Sequence, residues 1–403
     1  MRKPKVLQVC AVDVSVGPLL RPLVHALREA GAEVHVACSP GGELDRLAAE
    51  GVPVRPVRIA RKILSPRHPV SLVQLARLIR RKRYDFVHVH TPIAAALGRA
   101  AVRLSGARPV VLYTAHGFYF HDRMRPWLRW VLIQQERLFG RLCTDFLFTV
   151  SPEDHATALL ERIIDLGRPH CLNSLGIDLE RFGSVPARGL QRSDIGLSKD
   201  DRVIAYVGRL VREKGVIDLL EAMAVVKQRM PQARLVVVGD TLQSDRGRRI
   251  QKEIRALLAK HQLAGSVAFL GFRSDVSALL PLVDVFVLLS YREGMPLTIL
   301  EAMACGLPVV SFDCPTSPRE ILGNGRFGVL VPVQDEHSLA MAILALLNDE
   351  GQRLGFARRG KTRALDFDVP GIAREYRRLL EGRSAGKQAK PAAKQEDWER
   401  MKA

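Results

Sequence analysis

The chain has 403 residues, of which 47% are hydrophobic and 26% are charged, and its formal net charge is +19. This length exceeds the roughly 250–300 residues over which one core usually grows, so we expect two domains. No run of 18 apolar residues occurs, and the start MRKPKVLQVCAVDVSVG lacks the features of a signal peptide, which argues against a membrane-spanning or signal-directed chain.

The positive charge is concentrated in one part of the chain. Residues 51–150 hold 18 Lys and Arg residues against 4 Asp and Glu residues, whereas the rest of the chain holds 43 against 38. A local positive field attracts nucleic acid, an anionic membrane surface or a phosphorylated substrate. The charge alone does not choose among these three, and any membrane contact is expected to be peripheral.

Short β-rich runs alternate with helical patterns along the chain, which predicts parallel sheets covered by helices on both faces, an α/β fold. The predicted strands are Lys5–Cys10, Glu33–Cys38, Phe86–His90, Pro109–Tyr113, Phe146–Val150, Val203–Val207, Arg234–Val238, Val267–Leu270, Val285–Leu289, Pro308–Phe312 and Gly328–Val331. Helical spacing is clearest over Leu19–Ala30, Ile217–Gln228 and Ile250–His261.

The alternation stops once, over Phe182–Asp201, a stretch rich in Gly, Pro, Ser and charge. We therefore predict a first Rossmann-like domain over residues 1–185 and a second over residues 186–369. A helix over about residues 370–382 is expected to pack back on the first domain, and the polar tail 383–403 is predicted to be disordered. The six cysteines are scattered without a CxxC pair, which indicates reduced core residues of a cytosolic protein.

The first functional signal is the segment VGRLVREKG, which directly follows the predicted strand Val203–Val207. Open parallel sheets bind ligands outside the carboxyl ends of their strands. Gly208 lets a ligand approach the backbone, while Arg209 and Lys214 suit a phosphate, one as a bidentate donor and the other as a compact charge. Taken alone, the segment also fits a solvated basic turn.

The second signal begins directly after another predicted strand, at Ser290, and reads SYREGMPLTILEAMACG. Its two carboxylates, Glu293 and Glu301, are separated by seven residues, with Gly-Met-Pro before a predicted helix. A carboxylate accepts hydrogen bonds from two vicinal hydroxyls, such as those of a sugar or a ribose. We predict that they hold opposite ends of one elongated ligand. The alternatives are a dipole-stabilised helix residue for Glu301 and a solvated loop residue for Glu293.

Together, VGRLVREKG and EGMPLTILEAMACGLPVV resemble the retaining glycosyltransferases of family 4. The segments Asn173–Asp178 and Tyr113–Phe118 resemble shorter family elements, and HGFYF, HVHTP and DCPTSPREIL are most similar to bacterial enzymes that build surface polysaccharides on lipid carriers. The resemblance implies the GT-B fold, with two parallel sheets facing across an interdomain cleft. It also implies that the first domain binds the acceptor and the second binds the nucleotide sugar.

The resemblance implies a role for each matching residue. Arg209 and Lys214 would neutralise the donor diphosphate and Glu301 would bind the ribose hydroxyls. Glu293 would hold hydroxyls of the transferred sugar, which His116 would contact from the first domain. Further donor contacts would come from the backbone of Gly17, Gly208, Gly294, Met295, Leu297 and Thr298.

The implied reaction transfers a sugar, with retention, from a nucleotide sugar to a lipid-linked saccharide acceptor. UDP is expected on family frequency, and neither a metal nor another cofactor is expected. No Asp-x-Asp element lies near either segment, and no carboxylate pair is placed for double displacement. Many relatives have a Gly-Gly loop after the first strand, whereas this chain has Gly17 followed by a proline, a pair that suits a helix start able to bind an anion.

Two basic helical segments predict a contact with an anionic membrane. Arg80, Arg81, Lys82 and Arg83 end one predicted helix, and another combines Arg125 and Arg129 with Trp127 and Trp130. Basic residues beside tryptophans suit an anionic interface. We expect peripheral binding at the cytoplasmic face of the inner membrane. The alternative is a core-packed helix with a solvated arginine face.

Three other functions are consistent with part of the sequence. A nucleic-acid-binding protein would explain the charge, but no RNP, KH or zinc-finger pattern occurs, so no nucleic acid partner is expected. A sugar-nucleotide epimerase of the same fold would not need the paired glutamates. A catalytically inactive membrane-bound scaffold would retain the fold without binding the donor.

Overall fold

The structure is a computed structural model that describes most of the chain. The described residues are 2–13, 16–60, 62–120, 124–164, 170–172, 177, 179–183, 190–241, 245–314 and 317–367. The predicted helix over 370–382, the polar tail 383–403 and all but Ile177 of Asn173–Asp178 lie outside these residues. Among the described helices, none is both long and apolar enough to cross a bilayer.

The chain divides into two units, of which the first contains Met1–Gly176 and the second Ile177–Asp368. This boundary lies before the one predicted from the sequence. Ile177 donates its N–H to the carbonyl of Phe367 at 2.9 Å, and Phe182 is buried in a core cluster of the second unit. Burial of these two side chains therefore attaches the start of the predicted linker to the second unit.

The first unit contains a parallel sheet with the strand order β3-β2-β1-β4-β5-β6-β7. Its strands are β1 Lys5–Val9, β2 Glu33–Cys38, β3 Val54–Pro56, β4 Phe86–His90, β5 Val110–Ala115, β6 Phe146–Thr149 and β7 His170–Leu172. Its helices are α1 Arg21–Glu29, α2 Gly42–Ala49, α3 His68–Lys82, α4 Pro92–Ser105, α5 Pro126–Cys143 and α6 Pro152–Leu160. The sequence pattern missed β3 and β7, since VRP and HCL each contain a charged or polar residue and are not apolar runs.

The second unit contains a six-stranded parallel sheet with the order β10-β9-β8-β11-β12-β13. Its strands are β8 Arg202–Val207, β9 Ala233–Val238, β10 Val267–Phe269, β11 Val285–Leu288, β12 Val309–Phe312 and β13 Val329–Val331. Its helices are α7 Leu179–Gly183, α8 Val216–Arg229, α9 Asp245–Lys260, α10 Val276–Leu279, α11 Leu297–Ala304, α12 Ser317–Ile321, α13 Glu336–Asn348 and α14 Glu350–Ala364.

Both sheets are buried on both faces, which explains their continuous apolar strands. In β11, Val285 and Val287 pack on one side of the sheet, while Phe286 and Leu288 pack on the other. Parallel strands linked by crossover helices need this double burial. Some of the buried polar residues that interrupt the pattern, such as His90 and Thr114, lie at or near the carboxyl ends of central strands, where such sheets bind ligands.

Candidate functional site

The loop that leaves β8 presents one exposed cation. Gly208 donates its N–H to the Val238 carbonyl at 2.9 Å, and the buried Tyr206 hydroxyl donates to the Arg209 carbonyl at 3.1 Å. The backbone of Arg209 is therefore fixed. Its side chain is exposed and forms no ion pair with a described residue, so it remains available to an anion.

Lys214 and Glu293 meet at the ends of two neighbouring strands. The Lys214 Nζ donates to the Glu293 Oε1 in an ion pair, and the Ser290 hydroxyl donates to the same oxygen at 2.5 Å. The two side chains are 22% and 11% exposed, so they form a charged pair that a ligand from solvent can still reach. The structure thus joins the two sequence segments that carry the predicted chemistry.

Tyr291 fastens these two loops to each other. Its N–H donates to the Glu213 carbonyl at 3.0 Å, and its hydroxyl donates to the Asp218 Oδ2 at 2.8 Å. Burial, together with the Asp218 carboxylate, raises the pKa of Tyr291 to about 12, so the phenol stays a hydrogen-bond donor at neutral pH. The sequence reasoning missed this residue. The signal that could have identified it is Asp218, an acid among apolar residues of a predicted helix.

Gly215 brings the end of β11 against the start of α8. Its φ of 70° lies in the left-handed region that favours glycine. A Cβ atom at this position would overlap the carbonyl oxygen of Leu289. Only glycine therefore allows the approach that places Lys214 beside Glu293.

Glu301 lies in α11, the helix that follows the Glu293 loop. It is partly buried, and no described residue forms a hydrogen bond with its carboxyl group. Burial raises the pKa of Glu301 to about 7, while Arg181 opposes this shift. The carboxyl therefore needs hydrogen-bond donors to ionise readily, and ribose hydroxyls are suitable donors.

The backbone donors predicted for the ligand lie around the start of α11. Leu297 and Thr298 are its first two residues, whose N–H groups have no partner within the helix. Gly294 and Met295 precede the helix, and their N–H groups donate to no other described residue. This loop thus combines free backbone donors with the partial positive charge of a helix N-terminus.

In the first unit, His116 follows β5 at the carboxyl end of the sheet. Its Nε2 lies 3.1 Å from the Nδ1 of His90, and the Nε2 of His90 lies 2.7 Å from the Oε1 of Gln8. Burial lowers the pKa of His116 to about 4. The sequence reasoning identified His116 but missed Gln8 and His90, although polar residues inside apolar strands are a recognisable signal.

Gly17 lies in a π-helical turn, Val16–Leu20, beside an acidic side chain. A Cβ atom on Gly17 would overlap the carboxylate of Glu43, which also pairs with Arg46 at 2.7 Å. An anion at Gly17 would be repelled by Glu43. This arrangement does not favour the phosphate contact expected there.

The basic surface predicted for membrane contact is only partly free. Arg80, Arg81, Lys82 and Arg83 are all exposed at the end of α3. On α5, Trp127 and Trp130 are each 62% exposed, and Arg125 is exposed at its start. Arg129 instead forms an ion pair with Glu161 at 3.1 Å, and so does Arg137, so one carboxylate offsets part of the positive stripe.

The described residues contain no group of three or more His, Cys, Asp or Glu side chains that could hold a metal ion. Arg209, Lys214 and Glu293 place two cations and a carboxylate in the loops that follow β8 and β11. Such a site binds phosphate oxygens and hydroxyl groups through charge and hydrogen bonds.

Comparisons with known proteins match both halves of the chain to glycosyltransferase families. Residues 188–363 match the family model "Glycosyl transferases group 1", and residues 8–135 match "Glycosyl transferase 4-like". The UDP-Gal:alpha-D-GlcNAc-diphosphoundecaprenol alpha-1,3-galactosyltransferase of Escherichia coli is 30% identical over 79% of this chain and 81% of its own length.

Two further comparisons extend over most of the chain. The N,N'-diacetylbacillosaminyl-diphospho-undecaprenol alpha-1,3-N-acetylgalactosaminyltransferase of Campylobacter jejuni is 26% identical over 89% of this chain and 94% of its own length. The crystal structure of Anabaena Alr3699/HepE in complex with UDP and glucose has a TM-score of 0.79 and 21% identity, covering 94% of this chain and 100% of that one. This structural likeness confirms the GT-B fold.

Proposed function

The chain belongs to the group 1 glycosyl transferases, and from this premise we propose that it transfers a sugar from a UDP-sugar to a lipid-linked saccharide, with retention at the anomeric carbon. The observation that carries the proposal is the Lys214–Glu293 ion pair beside the exposed Arg209. This cluster combines a site for phosphate with a carboxylate that accepts hydroxyl donors.

The leaving group of this reaction is a nucleoside diphosphate, whose negative charge grows as the glycosidic bond breaks. Arg209 and Lys214 are the proposed cations that stabilise this charge. Fixed donors aimed at a developing charge reduce the barrier because they need no reorganisation during the reaction. The fixed backbone of Arg209 and the ion pair between Lys214 and Glu293 support this role.

Glu293 and Glu301 are proposed to bind the two sugars of the donor. Glu293 would accept hydroxyls of the transferred sugar while Lys214 and Ser290 hold its Oε1 in place. Glu301 would accept the ribose hydroxyls, and two such donors would offset the cost of ionising a buried carboxyl. His116 is proposed to contact the transferred sugar.

The proposed mechanism is metal-independent and proceeds on one face of the sugar through an oxocarbenium-like state. Two protein cations would supply the charge stabilisation that a divalent metal ion supplies in other transferases. The leaving diphosphate would stay on the same face as the incoming hydroxyl, which accounts for retention. No protein carboxylate is assigned the role of a nucleophile.

The proposed acceptor is a saccharide on a polyprenyl diphosphate, since both enzymes named above act on undecaprenol-linked saccharides. We place the reaction at the cytoplasmic face of the inner membrane, with peripheral contact through the exposed cations at the end of α3 and through Trp127 and Trp130. Each Lys or Arg near an anionic surface contributes about 1 kcal/mol. Nucleic acid is not a proposed partner.

The test of catalysis compares Lys214→Ala and Glu293→Ala with wild type, using UDP-sugars and an undecaprenyl-diphosphate-linked saccharide. We expect transfer to fall by roughly 10²–10³-fold in each variant. Arg212→Ala is the matched control, because Arg212 lies on the same turn but pairs with Glu253 at the exposed surface. Unchanged transfer in both variants would contradict the assignment, and an epimerised UDP-sugar as product would indicate an epimerase instead.

The membrane contact is tested separately by flotation with liposomes. Wild type is expected to float with anionic vesicles and to stay with the soluble fraction in neutral ones. The double variant Trp127→Ala and Trp130→Ala should bind more weakly, whereas Phe272→Ala, at an exposed position in the second unit, should not. Equal flotation with both vesicle types would reject the anionic surface as a partner.

A further inference from the structure

Three polar side chains, two of them buried and one half-buried, form a hydrogen-bonded chain across β1, β4 and the end of β5. Gln8 is fully buried and His90 is 2% exposed, and the contacts run from Gln8 Oε1 to His90 Nε2 and from His90 Nδ1 to His116 Nε2. The chain ends at the Nδ1 of His116, a buried atom without a hydrogen-bond partner. A buried polar atom without a partner costs free energy unless a ligand supplies the missing hydrogen bond.

The chemistry of Gln8 determines where the protons lie. An amide oxygen can only accept, so the His90 Nε2 must carry a proton. In a neutral imidazole the other nitrogen then has the lone pair, so the His90 Nδ1 accepts from the Nε2–H of His116. The Nδ1 of His116 is consequently left with its lone pair.

The surroundings keep these rings neutral. Burial lowers the pKa of His90 well below its ordinary value, and it lowers the pKa of His116 to about 4. His88 lies against His90 with ring centroids 3.9 Å apart, and burial lowers the pKa of His88 in the same way. Two protonated rings in this row would also repel each other, so each imidazole stays uncharged at neutral pH.

We propose that Gln8 and His90 are positioning residues that fix the tautomer of His116, so that its Nδ1 accepts a hydrogen bond from a hydroxyl of the substrate. The tautomer follows from the contacts in the first unit alone, whereas the substrate contact rests on the proposed function. Neither Gln8 nor His90 touches the substrate in this arrangement. Their effect passes through the ring of His116.

The fixed tautomer would make His116 selective for the kind of group it meets. A lone pair accepts from a hydroxyl or an N–H group, but it repels carboxylate and phosphate oxygens, which have no proton to donate. The reverse tautomer, with a proton on Nδ1, would donate to hydroxyl, carboxylate and phosphate oxygens alike. Gln8 thus determines which groups can bind to His116, although it does not contact that ring. A group without a proton to donate would be left without a hydrogen bond there.

The tautomer can be measured without substrate by ¹⁵N NMR of full-length protein labelled at histidine, with His116→Gln used to assign the ring signals. We expect the His116 Nε2 to be protonated and its Nδ1 to be unprotonated. A proton on Nδ1 would overturn the proposal, and this is also the result that a reversed Gln8 amide would give.

The Gln8→Glu variant should reverse the direction of the hydrogen bond between His90 and His116. A carboxylate at this position favours a charged His90, which then donates from Nδ1 to the Nε2 of His116 and moves the His116 proton to Nδ1. Thr114→Val is the matched control, because Thr114 contacts the neighbouring His88 at 2.8 Å in the same buried row and should leave the His116 tautomer unchanged.

Gln8→Met covers the case in which a buried carboxylate prevents folding. Methionine has a similar size but lacks the amide oxygen that accepts from His90, so the tautomer of the two histidines is no longer fixed. The single ¹⁵N signal of the unprotonated Nδ1 of His116 should therefore be lost or split. An unchanged tautomer in a folded Gln8 variant would overturn the positioning role. Because no substrate is present, the expected spectra in a protein that transfers no sugar would support this inference while rejecting the proposed function.

Discussion

The two sheets have the same strand order around their centres, but the groups at their carboxyl ends differ: one edge is neutral and the other is charged. In the first unit this edge holds buried, neutral groups, with Gln8, His90 and His116 in a hydrogen-bonded chain. In the second unit it holds charged, partly exposed groups, with Lys214 paired to Glu293. One edge is therefore suited to hydroxyl groups and the other to a diphosphate with its attached sugar.

This difference shows that the topology supplies only the location of a site. Both sheets place polar residues directly after central strands, as open parallel sheets do. The chemistry then depends on whether the surrounding side chains exclude water or admit it. Exclusion holds histidines neutral in the first unit, whereas the lysine and the glutamate that form an ion pair in the second unit are partly open to solvent.

The largest expected effect is an acid-induced loss of stability in the first unit. The folded-state pKa values of His88, His90 and His116 lie below the ordinary value, so the unfolded state binds protons first as the pH falls. The contribution of His116 is complete above about pH 6.5 and is lost toward pH 4, at a cost of roughly 2 kcal/mol at pH 5. His88 and His90 add to this loss in the same direction.

Urea unfolding at pH 7 and pH 5, combined with hydrogen exchange of peptides from β4 and β5, measures this loss. His88→Leu removes one of the three titrating rings and should make the free energy of unfolding less dependent on pH. An equal pH dependence in wild type and His88→Leu would mean that these rings are not held neutral by burial.

The next effect concerns the stability of the loops at the carboxyl end of the second sheet. Gly215→Ala places a side chain at a φ of 70° and against the Leu289 carbonyl, so we expect the free energy of unfolding to fall by about 3 kcal/mol. Gly196→Ala is the control, since its φ is 74° but nothing lies within 4 Å of the added Cβ. It should cost about 1–2 kcal/mol. If urea unfolding shows that both variants lose the same free energy of unfolding, the overlap with the Leu289 carbonyl does not contribute to the loss in Gly215→Ala.

The smallest effect has the opposite pH dependence and belongs to Glu301. Its folded-state pKa of about 7 lies above the value of an unfolded glutamate, so the folded state loses stability as the pH rises from about 4.5 to 7. Glu301→Gln removes this cost. The full shift corresponds to about 3 kcal/mol, and because the side chain is partly exposed to solvent we expect the variant to be more stable than wild type by about 1–2 kcal/mol at pH 8 and equal to it near pH 4.5.

Thermal unfolding at these two pH values tests the Glu301 prediction. A variant that is less stable than wild type at pH 8 would indicate that the carboxylate is already stabilised by donors in the free protein. The two units would then share one pH dependence, and the contrast between their edges would be weaker than proposed.

Much of the fold could be predicted from the sequence because it depends on local patterns. Apolar runs such as Val285–Leu289 identify buried strands by composition alone, and glycines and charges directly after them mark where a ligand can bind. The same reasoning identified Arg209, Lys214, Glu293 and Glu301. Two edge strands were missed because VRP and HCL are not apolar runs, whereas the equally short β10 and β13 were predicted from VAF and VLV.

Other features depend on which segments become neighbours in space. The pairing of Arg129 with Glu161 joins two helices and removes one cation from the predicted basic surface. The contact of Tyr291 with Asp218 joins a loop to helix α8, which is distant in the sequence. Neither pairing has a local pattern, because the partners are brought together only when the helices pack on the sheet.

The sequence by itself determined two parallel α/β units, their central strands and the charged residues that follow them. The tertiary structure alone decided that Gln8 and His90, separated by 82 residues, would join His116 in one hydrogen-bonded chain. The physical reason is the strand order, which inserts β1 between β2 and β4 and β4 between β1 and β5. Composition and period govern which residues are buried, but strand order governs which buried polar groups meet.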